Sequence, residues 1–142
     1  ATQLNTLTNL GDIYGTATAV ELTLNAGANI TNISNGSSTN TTSRIFAVST
    51  GLTLYSGSTI NTINNYGLIS GTYFRGILNN GSIGVIDNFG TISQTDSSFG
   101  LGIGAIDNGG QISSIMNNAG ATISGATIAG GLALRSWLRS AA

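Results

Sequence analysis

One spacing recurs four times along this chain: an aliphatic residue, an Ile six positions later, and a second Ile three positions after that. The opening residues of successive copies lie 30, 23 and 29 positions apart. The spacing returns after each insertion, as expected when every repeat is one coil of a stacked structure. It therefore predicts a solenoid. The copies are Leu24-Ile30-Ile33, Leu54-Ile60-Ile63, Ile77-Ile83-Ile86 and Ile106-Ile112-Ile115.

The residues between these aliphatic positions favour strands over helices. Gly, Ser, Thr and Asn fill most of them, and only 6% of the chain is charged. β-branched residues and Asn-Gly or Ser-Gly pairs are typical of strands and tight turns, whereas an amphipathic helix needs apolar residues at 3.6-residue spacing. A disordered chain would be poorer in aliphatic residues and more highly charged. We therefore predict an all-β solenoid of four to five coils, stacked about 4.8 Å apart.

Stacked coils place equivalent residues in columns. The repeated spacing predicts one buried column of opening aliphatic residues and a second column formed by the first Ile of each pair. Connections of variable length, over roughly residues 37–48, 70–74 and 93–100, are expected to link one coil to the next. The first column is Leu24, Leu54, Ile77 and Ile106, and the second is Ile30, Ile60, Ile83 and Ile112.

Asn residues recur at two predicted corners of the coil. Stacked Asn side chains hydrogen-bond to one another and to turn backbone, and the adjacent Gly residues suit tight corners. We therefore interpret these residues as structural ladders rather than as a sugar-binding site. One ladder contains Asn35, Asn65 and Asn88 with either Asn117 or Asn118, of which we assign Asn118, and the other contains Asn79 and Asn108.

Aromatic residues also recur at one corner. Tyr66 and Phe89 follow equivalent Asn residues in successive coils, and Leu10 and Ala119 are expected at the corresponding positions of other coils. An aromatic stack between coils contributes about 0.5–1.5 kcal/mol without any ligand. We therefore expect Tyr66 and Phe89 to pack against each other, and we treat binding of a carbohydrate as the alternative.

Three segments resemble the passenger repeats of bacterial autotransporters: residues 60–71 (INTINNYGLISG), 83–93 (IGVIDNFGTIS) and 112–125 (ISSIMNNAGATISG). The resemblance covers roughly residues 4–125. It implies a right-handed parallel β-helix that is exported through a C-terminal membrane β-barrel, which this sequence does not contain. It also implies a protein that is secreted or lies on the surface of a Gram-negative bacterium. Many passengers of this family are adhesins, and some associate with copies of themselves.

The charged residues argue against catalysis and against nucleic acid as a partner. The net charge is −1, and Arg44 and Arg75 are the two cations outside the last eight residues, whereas neutralising several phosphates requires a basic cluster. The chain has no His, and Asp87 and Asp107 fall in different halves of a coil, which leaves few groups for acid-base or metal chemistry. We expect no enzyme activity, no cofactor and no metal. No apolar stretch reaches about 18 residues, so we expect no membrane insertion.

The sequence and the resemblance together predict an adhesive module. It would contact a host or bacterial surface protein or glycan, or another copy of itself, and the alternatives are a passive stalk and a phage tail-spike fragment. We expect residues 1–130 to form the solenoid. Residues 131–142 place Leu134, Trp137 and Leu138 at helical spacing and form either a capping helix or a non-native tail. The candidate contact residues are Tyr55, Tyr73, Phe74, Arg75 and Phe99.

Overall fold

A computed structural model describes residues 2–16, 22–96 and 104–125 of the chain. Within these ranges the chain forms fourteen strands and no helix, as the composition predicted. The predicted capping helix over residues 131–142 lies outside the described residues. The strands are β1 (Thr2–Asn9), β2 (Asp12–Gly15), β3 (Leu22–Leu24), β4 (Ala28–Asn35), β5 (Arg44–Ala47), β6 (Thr50–Leu54), β7 (Thr59–Asn65), β8 (Leu68–Gly71), β9 (Arg75–Asn79), β10 (Ser82–Asn88), β11 (Thr91–Gln94), β12 (Ile106–Asn108), β13 (Gln111–Asn117) and β14 (Thr122–Ser124).

Successive strands belong to three parallel sheets in turn. Sheet A contains β1, β4, β7, β10 and β13 in that order, sheet B contains β2, β5, β8, β11 and β14, and sheet C contains β3, β6, β9 and β12. Because every third strand returns to the same sheet, one coil consists of one strand from each sheet. The described residues form four coils and two strands of a fifth. This arrangement confirms the predicted parallel β-helix.

Ile and Leu side chains fill the space between the three sheets. The second predicted column is confirmed, since Ile30, Ile60, Ile83 and Ile112 pair in register through sheet A. Ile60 and Ile83 are fully buried, whereas Ile112, in the last described coil, is partly exposed. Complete burial of one such side chain contributes about 1.5–3 kcal/mol. The columns therefore supply most of the apolar stabilisation of the coils.

The two Ile residues of each sheet A strand both face the core, although they lie three positions apart. Strict alternation would turn residues three apart to opposite faces of the sheet. The pairing between β7 and β10 skips one residue in each strand, because Ile60 and Ile63 align with Ile83 and Ile86 while Asn61 is passed over. A β-bulge redirects side chains in a similar way. One skipped residue per coil thus explains the Ile-x-x-Ile spacing.

The first predicted column is wrong in its register. Leu54 does pair with Leu24, but it lies opposite Asn79 in the next coil, and Ile77 lies opposite Leu52. The reason is the corner between sheets C and A. Five residues separate Leu54 from Ile60, whereas three separate Asn79 from Ile83. The opening aliphatic residues therefore belong to two columns: Leu22, Leu52, Ile77 and Ile106 in one, and Leu24, Leu54, Asn79 and Asn108 in the other.

The predicted connection over residues 37–48 is too long. Its last part forms strand β5, which pairs with β2 and β8 and places Ile45 fully in the core. The excursion that remains, residues 36–43, is closed by hydrogen bonds between the backbones of Ser37 and Asn40. This short arm leaves the solenoid at the corner between sheets A and B, and the candidate site lies beside it.

Candidate functional site

A ladder of buried Asn side chains shapes the corner between sheets A and B. Each Asn donates through Nδ2 to Oδ1 of the Asn in the next coil, at 2.7–2.8 Å. The second Nδ2 hydrogen bonds to the first carbonyl of the sheet B strand in the next coil, as in the bonds from Asn35 to the Leu68 carbonyl and from Asn65 to the Thr91 carbonyl. A fully satisfied buried network of this kind fixes the corner rigidly. The buried members are Asn9, Asn35, Asn65 and Asn88, and the exposed Asn117 accepts the last of these bonds.

The assignment of Asn118 to this ladder is wrong. Asn117 follows Ile115 by two positions, as Asn88 follows Ile86, and it accepts the bond from Asn88. Asn118 instead donates to the Asp87 carboxylate and to the Asn88 carbonyl. Asn9, which was not predicted from the sequence, begins the ladder. The second predicted ladder is confirmed by the 2.7 Å bond from Asn79 to Asn108.

The first aromatic pair consists of Tyr66 and Phe89, which directly follow the ladder residues Asn65 and Asn88. The rings of Tyr66 and Phe89 stack with their centroids 4.7 Å apart and their planes 4° apart, which confirms the expected packing between coils. Leu10 follows Asn9 at the corresponding place, but the residue in the last coil is Asn118 and not Ala119. Phe89 remains 42% exposed. The stack therefore presents an apolar edge to solvent.

A second aromatic pair lies on the outer face of sheet B. Tyr14 and Phe46 stack at 4.3 Å in adjacent coils, and Tyr14 is 50% exposed. The guanidinium of Arg44 lies 4.7 Å from the centre of the Phe46 ring and pairs with the carboxylate of Asp12 in the coil before it, through Nε at 2.9 Å. Cation–π contact and ion pair together hold the Arg44 side chain against the sheet.

The hydrogen bonds from Arg44 lower the pKa of Asp12 below its ordinary value of 3.8. In the Arg44→Gln variant we expect the Asp12 pKa to rise toward that ordinary value, which a carboxyl NMR titration measures. A lowered pKa means that the pair stabilises the fold at pH values above the unfolded pKa and stops doing so as the pH falls through the folded pKa. An unchanged Asp12 pKa in Arg44→Gln would show that Arg44 does not hold this carboxylate.

A shallow groove of about 410 Å³ lies beside the Tyr66–Phe89 pair. The arm forms one wall, and Arg44 links this groove to the Tyr14–Phe46 pair because it lines the first and packs on the second. The six side chains around this surface are called the aromatic flank from here on. They are Asp12, Tyr14, Arg44, Phe46, Tyr66 and Phe89.

The predicted contact residues do not form one surface. Tyr55 is 48% exposed, but it lies at the corner between sheets C and A, and its carbonyl accepts two bonds from Ser58. Tyr73 and Phe74 are half-buried between β8 and β9. Arg75 donates to Asp107 at 2.6 Å. Phe99 lies outside the described residues.

The sequence contained a signal for the flank that was overlooked. Residues 12–15 and 44–47 share one pattern: a charged residue, Ile, an aromatic residue and a small residue, with opposite charges in the two copies. These segments pair residue by residue in β2 and β5. Their pairing was hidden because the second copy lay in a stretch assigned to a connection.

The described residues hold no group of three or more acidic or other metal-binding side chains, and Asp87 and Asp107 lie in different sheets. No helix in the described ranges is long and apolar enough to cross a membrane. No protein-family model, curated protein or solved structure matches the chain.

Proposed function

We propose that this chain is an adhesive module of an exported bacterial β-helical protein and that it associates side-on with further copies through the aromatic flank. The repeats that resemble autotransporter passengers support the proposal that the chain belongs to an exported bacterial protein. The proposal about the surface comes from the position of the aromatic residues. Each contact would be weak, and repetition along a protein or across a cell surface would strengthen it through avidity.

The exclusion of aromatic residues from the core is the observation that carries this proposal. The hydrophobic core of the described coils consists of Ile, Leu and Ala alone. Tyr14, Phe46, Tyr66 and Phe89 are therefore not needed to fill it, and all four lie along the side formed by sheet B and its corner with sheet A. Exposed aromatic residues supply much of the binding energy at protein interfaces. Their concentration on one side favours a contact surface over a uniformly polar stalk.

The low net charge of the chain supports association between identical copies. The net charge is −1, and the flank contains one cation and one anion, already paired with each other. Two copies can approach without strong repulsion because long-range electrostatic fields scale with net charge.

Tyr55 differs from the aromatic residues of the flank. It is exposed at a different corner, and among the described residues no second ring lies beside it.

The test is a comparison of cells that display the chain with flank variants and with a matched control. We expect the double variant Phe46→Ser/Phe89→Ser to abolish cell aggregation, because loss of an interface aromatic costs about 2 kcal/mol, or about thirtyfold in affinity for each contact. The control variant Tyr55→Ser removes an exposed ring from another corner and should aggregate like the wild type. Settling rate measures aggregation, with surface amounts equalised by antibody labelling.

Other outcomes distinguish the alternatives. Unchanged aggregation in the flank variant, with an intact fold by circular dichroism, would support the passive stalk. Loss of binding to host cells with aggregation retained would assign the flank to adhesion instead of self-association. A stable trimer of the purified chain would support the tail-spike alternative.

A further inference from the structure

We propose that the groove beside the Tyr66–Phe89 pair is a binding site for a neutral oligosaccharide, with the sugar rings lying along the solenoid axis across successive coils. This inference goes beyond the proposed association between copies, because a single copy contains the whole groove. It rests on the dimensions of the groove, on the groups that line it and on its charge.

The floor of the groove is a row of side chains on the outer face of sheet B. Arg44, Leu68 and Thr91 are the first residues of β5, β8 and β11, and they pair in register from coil to coil. All three line the groove, whose volume of about 410 Å³ lies in the usual range for ligand sites. Coils stack about 4.8 Å apart, so the row extends over about 10 Å. A floor of this length suits two linked sugar rings.

Two threonine hydroxyl groups beside this floor are available to a ligand. Thr91 lies at one end of the row, and the exposed Thr41 lies in the arm that forms one wall. Within the described ranges neither hydroxyl has a hydrogen-bond partner in the protein, whereas the hydroxyl of Thr42 is held by the Asn40 side chain. A free hydroxyl both donates and accepts, which is what a sugar hydroxyl requires of its partner.

The charge of the groove favours a neutral ligand. Among the described residues that line it, Arg44 alone is charged. Its Nε and Nη2 donate to the Asp12 carboxylate, so the pair attracts an anion only weakly. In the described part of the chain the Nη1 hydrogens bond to no protein group. They can donate to a sugar hydroxyl while the ion pair stays intact.

The aromatic pair supplies an apolar wall. Tyr66 stacks on one face of the Phe89 ring. Asn118 occupies the next place in this row, but its amide bonds to the Asp87 carboxylate and the Asn88 carbonyl. Phe89 remains 42% exposed. A sugar ring combines an apolar C–H surface with a rim of hydroxyl groups. An aromatic wall beside hydroxyl and guanidinium groups is therefore complementary to it.

Titration of the full 142-residue chain with oligosaccharides tests this assignment. The neutral probes are cellohexaose, N-acetylchitohexaose, maltohexaose and mannohexaose, and oligogalacturonate is the acidic comparison. We expect at least one neutral probe to shift the backbone amide NMR signals of Leu68, Phe89 and Thr91 at millimolar concentration. The acidic oligomer should shift them less, because it gains nothing from a cation that is already paired.

Two threonine variants locate the site. Thr91→Val replaces the hydroxyl by a methyl group of similar size, and we expect it to weaken binding about tenfold, the effect of losing one well-placed hydrogen bond. Thr122→Val is the matched control, because Thr122 pairs with Thr91 in the next coil and is exposed but does not line the groove. It should bind like the wild type.

Three results would overturn the assignment. They are the absence of any shift with the neutral probes, binding of oligogalacturonate alone, which would indicate an anion site at Arg44, and equal losses in Thr91→Val and Thr122→Val. The proposed function fails separately, since cell aggregation is measured without added saccharide. Saccharide binding with unchanged aggregation in Phe46→Ser/Phe89→Ser contradicts self-association alone. Lost aggregation in that variant, with no saccharide binding by the wild type, contradicts the saccharide site alone.

Discussion

The variant Ile60→Ala is expected to lose about 2–5 kcal/mol of unfolding free energy, the usual cost of truncating a buried Ile. Ile60 is fully buried in a central coil, and it contacts the column on both sides through Ile30 and Ile83. Because a solenoid is stabilised mainly by interfaces between neighbouring repeats, one cavity at this position weakens two interfaces at once. Denaturant unfolding followed by circular dichroism measures the effect.

Ile112→Ala is the matched control for this prediction. Ile112 belongs to the same column, but it lies in the last described coil, where it has a neighbour on one side and is partly exposed. Truncation there should cost less, since the lost transfer free energy scales with the area buried and the cavity would open on one neighbouring coil only. Equal losses in the two variants would contradict an arrangement of stacked coils whose ends are less protected than the centre.

The coil pattern was predictable because one physical constraint repeats. Each coil must turn two Ile side chains inward from sheet A, so the Ile-x-x-Ile spacing survives every insertion and identifies β4, β7, β10 and β13 directly. The corner between sheets A and B was predictable for the same reason. Asn is suited to such a corner because its side chain both donates and accepts along the axis.

The register of sheet C was not predictable from spacing alone. A Leu side chain and an Asn side chain occupy the same column at Leu54 and Asn79, because two different corners connect the sheets there. The first two coils use a turn with a glycine at positive φ, Gly27 or Gly57, and the later coils use a shorter corner stabilised by Asn79. Hydrophobic periodicity does not reveal that Asn replaces Leu in this column or that the corner becomes shorter.

The aromatic flank was only half predictable. Tyr66 and Phe89 follow ladder residues and share a position in the repeat, so their stacking could be inferred. The Tyr14–Phe46 pair depends on the pairing of β2 with β5. These two strands are separated along the sequence by the arm at residues 36–43, an excursion that no other described coil contains at this corner.

The variant Asn65→Ala is expected to lose about 2–4 kcal/mol of unfolding free energy, because each buried polar group left without a partner costs about 1–3 kcal/mol. Asn65 is fully buried. It accepts from Asn35 and donates to Asn88 and to the Thr91 carbonyl, so truncation interrupts the ladder in both directions. Its neighbour Asn64 supplies the control, since its side chain lies on the outer side of the same strand and within the described ranges bonds to Asn32. Asn64→Ala should cost under about 1 kcal/mol.

The isosteric variant Asn65→Asp separates the loss of hydrogen bonds from the loss of volume. A carboxylate at this position would face two acceptors, Oδ1 of Asn88 and the Thr91 carbonyl, without a proton to donate. Burial and these acceptors both favour the protonated acid, so the folded-state pKa of the introduced carboxyl should lie above its unfolded value. The variant should then be most stable at low pH and lose stability as the pH rises through the folded-state pKa. Denaturant unfolding at pH 4 and pH 7 measures this slope, and a variant as stable at pH 7 as the wild type would show that the ladder bonds contribute nothing to the fold.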